Sequence, residues 1–261
     1  MRSSLRTTLL LLPAIFLFAT SVILFTLERI SSRILVSKYL HTRNYISKNY
    51  MTFYGPRRDS DFGNVEKYDY IDVYIAENKG PTIAYIFLSL AGFLAAIIGA
   101  CGVWELRRVE GTMGHQRLWA WFVLAVQGVV FPCVVVVLAW ASVLQGNDGW
   151  KGYEDVSREG VVQGYTRETW FCQIDRLFGE QDWAGTGCGV AKATRFILIP
   201  LALSALLVMV AIYVLVRKRG GLRWLFGGKG RYAAFQSVYE MQPTMMPVPK
   251  YPHTPTEPTY R

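Results

Sequence analysis

Histidine is scarce: 261 residues contain three, His41, His115 and His253, each on a different stretch of chain. A shared metal site or a histidine-based acid–base pair has little to draw on. The chain also lacks HExxH, GxSxG and any glycine-rich loop closed by a lysine, the patterns by which metalloproteases, serine hydrolases and nucleotide-binding proteins place their chemistry. Charge is missing in a more telling place. Four apolar runs, Leu9–Leu27, Pro81–Trp104, Leu118–Leu144 and Ala193–Val216, hold no Asp, Glu or Lys and a single arginine, Arg195, near the start of the last. Deep carboxylates and cations of the kind that mark proton relays and ion pathways are thus absent. These lacks point to a non-enzymatic protein without a cofactor or a metal.

What is present is greasy helix. Pro81–Trp104 runs 24 residues without a charge, and about 20 apolar residues suffice to cross the hydrocarbon core of a bilayer. At about 100° per residue, Ile83, Phe87, Leu90, Leu94 and Ile97 fall on one half and small residues, including Ala91, Gly92, Ala95 and Gly99, on the other. Lipid tails are as apolar as leucine, so close backbone approach selects the packing face. The small half is therefore expected to meet neighbouring helices, and the bulky half lipid. Four runs of this length predict an all-α membrane protein built on a four-helix bundle, with the bilayer as its first partner.

The formal charge of +9 would suit nucleic acid in a soluble protein, but its placement suits a membrane. Residues 1–8, 105–117 and 217–261 carry 13 Lys and Arg against 4 acids, whereas residues 28–80 and 145–192 carry 14 against 15. Lysine and arginine near span ends favour the cytoplasmic face, which puts both termini inside and the two longer loops outside. Met1–Leu27 has the basic start of a secretory signal, yet its apolar run of 19 residues exceeds the usual 7–15. It reads as an uncleaved first span. A plasma-membrane location is expected.

The first outer loop, residues 28–80, is rich in tyrosine. Ile30, Ile34 and Leu35 have helical spacing, so the first helix is expected to continue past the bilayer; Val65–Tyr70 and then Ile71, Val73 and Ile75 alternate as strands do. The second, residues 145–192, holds Cys172 and Cys188, the two cysteines placed outside the bilayer. On an oxidising face they read as a disulfide, with Gly185, Gly187 and Gly189 giving the backbone freedom around Cys188. The expected result is a small, stapled outer cap with room for strands. Neither loop contains an Asn-X-Ser/Thr sequon.

Gln127 is the one strongly polar side chain deep in a span. It reads as a bond to a neighbouring helix; the competing reading, a subunit of an oligomeric channel or transporter, would turn it toward a pathway. Arg195 is expected to snorkel to water, and Cys101 is either a palmitoylation site or an inert buried thiol. After Val216, Arg217, Lys218, Arg219 and Arg223 form a basic run suited to anionic inner-leaflet lipid. Prolines at 249, 252, 255 and 258 then share one edge of a polyproline II helix, within a tail expected to be disordered and free to meet protein partners.

Over residues 9–216 this layout resembles the broad tetraspan class in topology: four spans, both ends inside, two outer loops and cysteines in the second. The resemblance is one of architecture. Tetraspanins carry Cys-Cys-Gly in that loop, whereas here Gln173 follows Cys172 and Cys188 stands in Gly-Cys-Gly. Claudins and connexins place cysteines in the first loop, which has none here. Fungal cell-periphery tetraspans of the PalI and eisosome kind share the outline. The resemblance implies a scaffold or organiser acting through loops and tail.

Overall fold

A computed structural model of the chain describes residues 2–41, 50–53, 71–107, 113–147, 149, 164–179 and 181–228. The chain divides into two compact units, residues 1–215 and 216–261. The first contains helices α1 (Arg2–His41), α2 (Gly80–Arg107), α3 (Met113–Asn147), α4 (Arg167–Leu177), α5 (Asp182–Phe196) and most of α6 (Leu198–Arg219), with strands β1 (Tyr50–Phe53) and β2 (Ile71–Tyr74). Four stretches are long and apolar enough to cross a membrane: Thr8–Ser37, Gly80–Arg107, Met113–Gly146 and Asp182–Arg219. The chain is a multi-pass integral membrane protein.

All four bury one residue every three or four. In α1 the buried stripe is Ala14, Leu17, Ser21, Leu24, Glu28, Ser31 and Leu35; in α2 it is Pro81, Tyr85, Leu88, Gly92, Ala95, Gly99, Gly102 and Leu106. In α3 it is Gln116, Ala120, Val123, Gln127, Val130 and Val134, and in α6 Leu198, Leu201, Ala205, Val208, Ile212 and Leu215. Alternating steps of three and four give a period of 3.5, the repeat that keeps one seam turned toward neighbouring helices in antiparallel bundles.

Small residues make the seam close. A Cβ on Gly92 would stand 2.5 Å from Ser21 Oγ and one on Gly99 3.0 Å from Val208, and one on Gly102 would run into Val123. Around Gly99 the other neighbours are Gln127 of α3 and Ala14 of α1, so all four spans meet at that level. Of the small residues that the sequence marks, Gly92, Ala95 and Gly99 are buried and Ala91 is half-buried at the edge of the stripe. Ile83, Phe87, Leu90, Leu94 and Ile97 are exposed, as expected of a lipid face. Leu88 and Val103, large residues on the small side, are buried among them.

A second core lies where the helices outrun the apolar stretch. The 40 residues of α1 reach about 60 Å at 1.5 Å per residue, far beyond a hydrocarbon layer of about 30 Å. Its Leu35 joins Met51, Ile75, Trp170, Phe171, Ile174 and Phe178 in a buried cluster. β1 and β2 pair antiparallel, Met51 opposite Val73. The alternation of Ile71, Val73 and Ile75 thus marks a strand, while Val65–Tyr70 lies outside the described residues.

In the second unit, α6 ends at Arg219, Gly220 and Gly221 take positive φ (139° and 71°), and the short helix α7 (Gly221–Leu225) follows. Left-handed backbone is strained for any residue with a Cβ, which explains the glycine pair at this break. The proline-spaced tail lies outside the described residues.

A candidate polar site at the disulfide end of the bundle

Cys172 and Cys188 form a disulfide, with their Cα atoms 4.7 Å apart. Both sit on helices, α4 and α5, rather than in open loop. The glycines around Cys188 consequently act otherwise than expected: none has positive φ. Gly187 instead admits Phe171, whose ring atoms would come within 2.5 Å of a Cβ there. Backbone freedom is not what this position needs; absence of a side chain is.

The staple holds α4 beside α5 and so fixes the residues at the start of α4. Thr166 caps that helix, accepting from Thr169 N at 3.2 Å, and its hydroxyl and that of Thr169 both donate to Gln145 Oε1 of α3 at 3.0 and 2.9 Å. Arg167 follows, 8% exposed. Its Nη1 donates to Glu28 Oε1 of α1 at 2.7 Å, and its Nε and Nη2 reach Glu77 Oε1 at 2.9 and 2.7 Å. Trp170 Nε1 donates to the carbonyl of Ala76 at 2.9 Å, and Asn78 N to that of Tyr165 at 2.9 Å. One guanidinium fork therefore ties α4 to α1 and to the segment entering α2.

Glu168, next in sequence, pairs with Arg195 of α5 at 3.0 Å. Arg195 does not snorkel: its side chain is 15% exposed and lies over the Phe196 ring at 5.0 Å. Burial pushes the Glu168 carboxyl above the ordinary carboxylate range, with Arg195 and Lys192 opposing the rise. Desolvation outweighs the ion pair here because the carboxylate loses water on most sides and gains a cation on one.

Between these groups is a cavity of about 30 Å³, lined by Glu28, Tyr85, Gln145, Thr166, Arg167 and Glu168 among others. Sequence reading misses this site altogether. Glu28 and Arg195 stand at span ends, where charge is ordinary, and Arg167 lies 139 residues from its partner Glu28; no local pattern links them.

The remaining marked residues lie elsewhere. Gln127 is fully buried, donates through Nε2 to Ala95 O at 3.0 Å, and has no partner for Oε1 among the described residues. Arg217, Lys218 and Arg223 are exposed and Arg219 is half-buried, beside exposed Leu222 and Phe226. Cys101 is exposed rather than buried. His115 accepts from Trp119 Nε1 at 2.9 Å.

Fold and site together define a multi-pass membrane protein whose four spans carry a disulfide-linked helical pair at one end. No family model, curated protein or solved structure matches the chain.

Proposed function

We propose that this protein is a non-enzymatic tetraspan scaffold or organiser in the plasma membrane. Both termini lie in the cytoplasm, and the β1–β2 ribbon with α4 and α5 forms an outer cap. The observation that carries the reading is the Arg167 clamp to Glu28 and Glu77, which makes the cap a rigid extension of the bundle. A rigid platform loses little conformational entropy when a partner docks. Arg217, Lys218, Arg219 and Arg223 add contact with anionic inner-leaflet lipid, and the proline-spaced tail offers a site for protein partners.

The close seam around Gly92, Gly99 and Gly102 and the fully buried Gln127 favour this reading over a channel or transporter, since Gln127 faces helix rather than a pathway. Crosslinking in native membranes, followed by recovery of the full chain, tests it. Discrete adducts through the cap or tail are expected. Recovery of a lone monomer, together with solute flux through the reconstituted protein that Gln127→Leu alters, would overturn it in favour of the transporter.

A further inference from the structure

Where α2 gives way to α3, one imidazole nitrogen lies between two partners with opposite needs. His115, in the first turn of α3, accepts at Nε2 from the Trp119 indole Nε1 at 2.9 Å, four residues on and so on the same helix face. The two rings meet edge to face, with centroids 6.3 Å apart. The same Nε2 lies 3.6 Å from Oε1 of Glu105, near the end of α2. An indole N–H can only donate, and a carboxylate can only accept. One nitrogen cannot serve both in a single protonation state.

To accept from Trp119, neutral His115 must leave Nε2 bare and carry its hydrogen on Nδ1. Once the ring is protonated, both nitrogens are donors, and the hydrogen on Nε2 opposes that of the indole. The Trp119 bond is then lost, while the Glu105 carboxylate gains a cationic donor. Both residues stand just outside the uncharged runs 81–104 and 118–144, and the His115 side chain is 52% exposed, so protons from water reach the ring. Glu105 is 17% exposed at the side chain, and fully buried Gln116 donates to its backbone carbonyl at 3.4 Å. The carboxylate therefore sits on backbone that α3 already holds.

Among the described residues, Glu105 is the one ionisable group paired with His115. Arg107 on α2 and Arg117 on α3 are the other charged side chains described at these two helix ends, and each is engaged in its own interactions. We propose that His115 is a pH-operated clasp between α2 and α3. Neutral, it is bonded within α3 to Trp119; protonated, it crosses to Glu105 and ties the two helix ends together. Histidine is the side chain whose charge ordinarily changes between about pH 5 and 8, so the clasp closes as pH falls through that range and opens as it rises. The exchange does not rest on the scaffold reading; the topology proposed there decides only that the cytoplasm is the compartment sensed.

Full-length protein in nanodiscs, labelled with ¹⁵N histidine and tryptophan and ¹³C glutamate, tests this by NMR across the same range of about pH 8 to 5. The chain has three histidines and eight tryptophans, few enough to assign with His115→Gln and Trp119→Phe. At the upper pH, Nε2 of His115 is expected bare and Nδ1 protonated. As pH falls, the ring should gain its proton, the Trp119 indole should lose its hydrogen-bonded shift, and the Glu105 carboxylate signal should move, all at one midpoint. His115→Gln, at a half-exposed position, should abolish both the Trp119 and the Glu105 steps. A hydrogen on Nε2 at the upper pH, or a Trp119 signal that stays put while His115 titrates, would overturn the proposal. So would steps that persist in His115→Gln, which would assign them to another group, or a Trp119 step without a Glu105 step, which would leave the helices untied.

Discussion

Arg167 and Glu28 are 8% and 5% exposed at the side chain, so neither has water to fall back on when the other is lost. Arg167→Met should lower stability by about 3–5 kcal/mol, the cost of stranding a buried charge, measured as thermal or denaturant unfolding in nanodiscs. Glu77→Gln should cost less, because Glu77 is 18% exposed and Arg167 keeps Glu28. Glu168 makes a pH-dependent contribution whose sign follows from its raised pKa. The folded state holds this proton at higher pH than the unfolded chain does, so the contribution is full below the ordinary carboxylate value. It is lost as pH rises from there through the raised one. Glu168→Gln should flatten that part of the stability-versus-pH curve, and a curve that keeps its slope in the variant would assign it to another group.

At the scale of elements, glycine separates packing from propensity. Gly102 lies against Val123 with no room for a Cβ, whereas Gly128 of α3 has nothing within 4 Å. Gly102→Ala should therefore destabilise by about 1–3 kcal/mol through overpacking, and Gly128→Ala should stabilise by about 0.5–1 kcal/mol through helix propensity. Equal effects at the two sites would mean that α2 and α3 do not approach as described. The α4–α5 staple closes a separation of 16 residues, for which loop entropy predicts about 3 kcal/mol. A Cys172→Ser, Cys188→Ser double variant should lose that much under oxidising conditions, and Cys101→Ser nothing comparable, as read from unfolding with and without reductant.

For the whole molecule, the decisive measurement is topology. Charge placement along the chain predicts that the C-terminal tail and the Cys172 helix occupy opposite sides of the membrane. Protease protection of tagged full-length protein in sealed vesicles checks it: a C-terminal tag and a tag in the segment before Tyr165 should respond from opposite sides. Response from one side would remove the basis for an outer cap, though not the bundle, which rests on packing between spans.

The four spans were legible because the bilayer imposes a one-dimensional rule: a run of about 20 uncharged apolar residues has few other fates. The lipid face of α2 was legible for a related reason, since bulky and small residues segregate around the helix whatever its neighbours are. The disulfide was legible because Cys172 and Cys188 are the two cysteines outside the expected spans, and Gln127 from its solitude among apolar residues. Only the tertiary structure decided which charges meet. Glu28, Glu77, Arg167, Glu168 and Arg195 look like ordinary loop and span-end residues, and their burial depends on the staple holding α4 beside α5, which itself packs on α1. Long-range polar contacts carry no period and no spacing rule, because each pair is set by the packing of whole helices rather than by its own sequence neighbours.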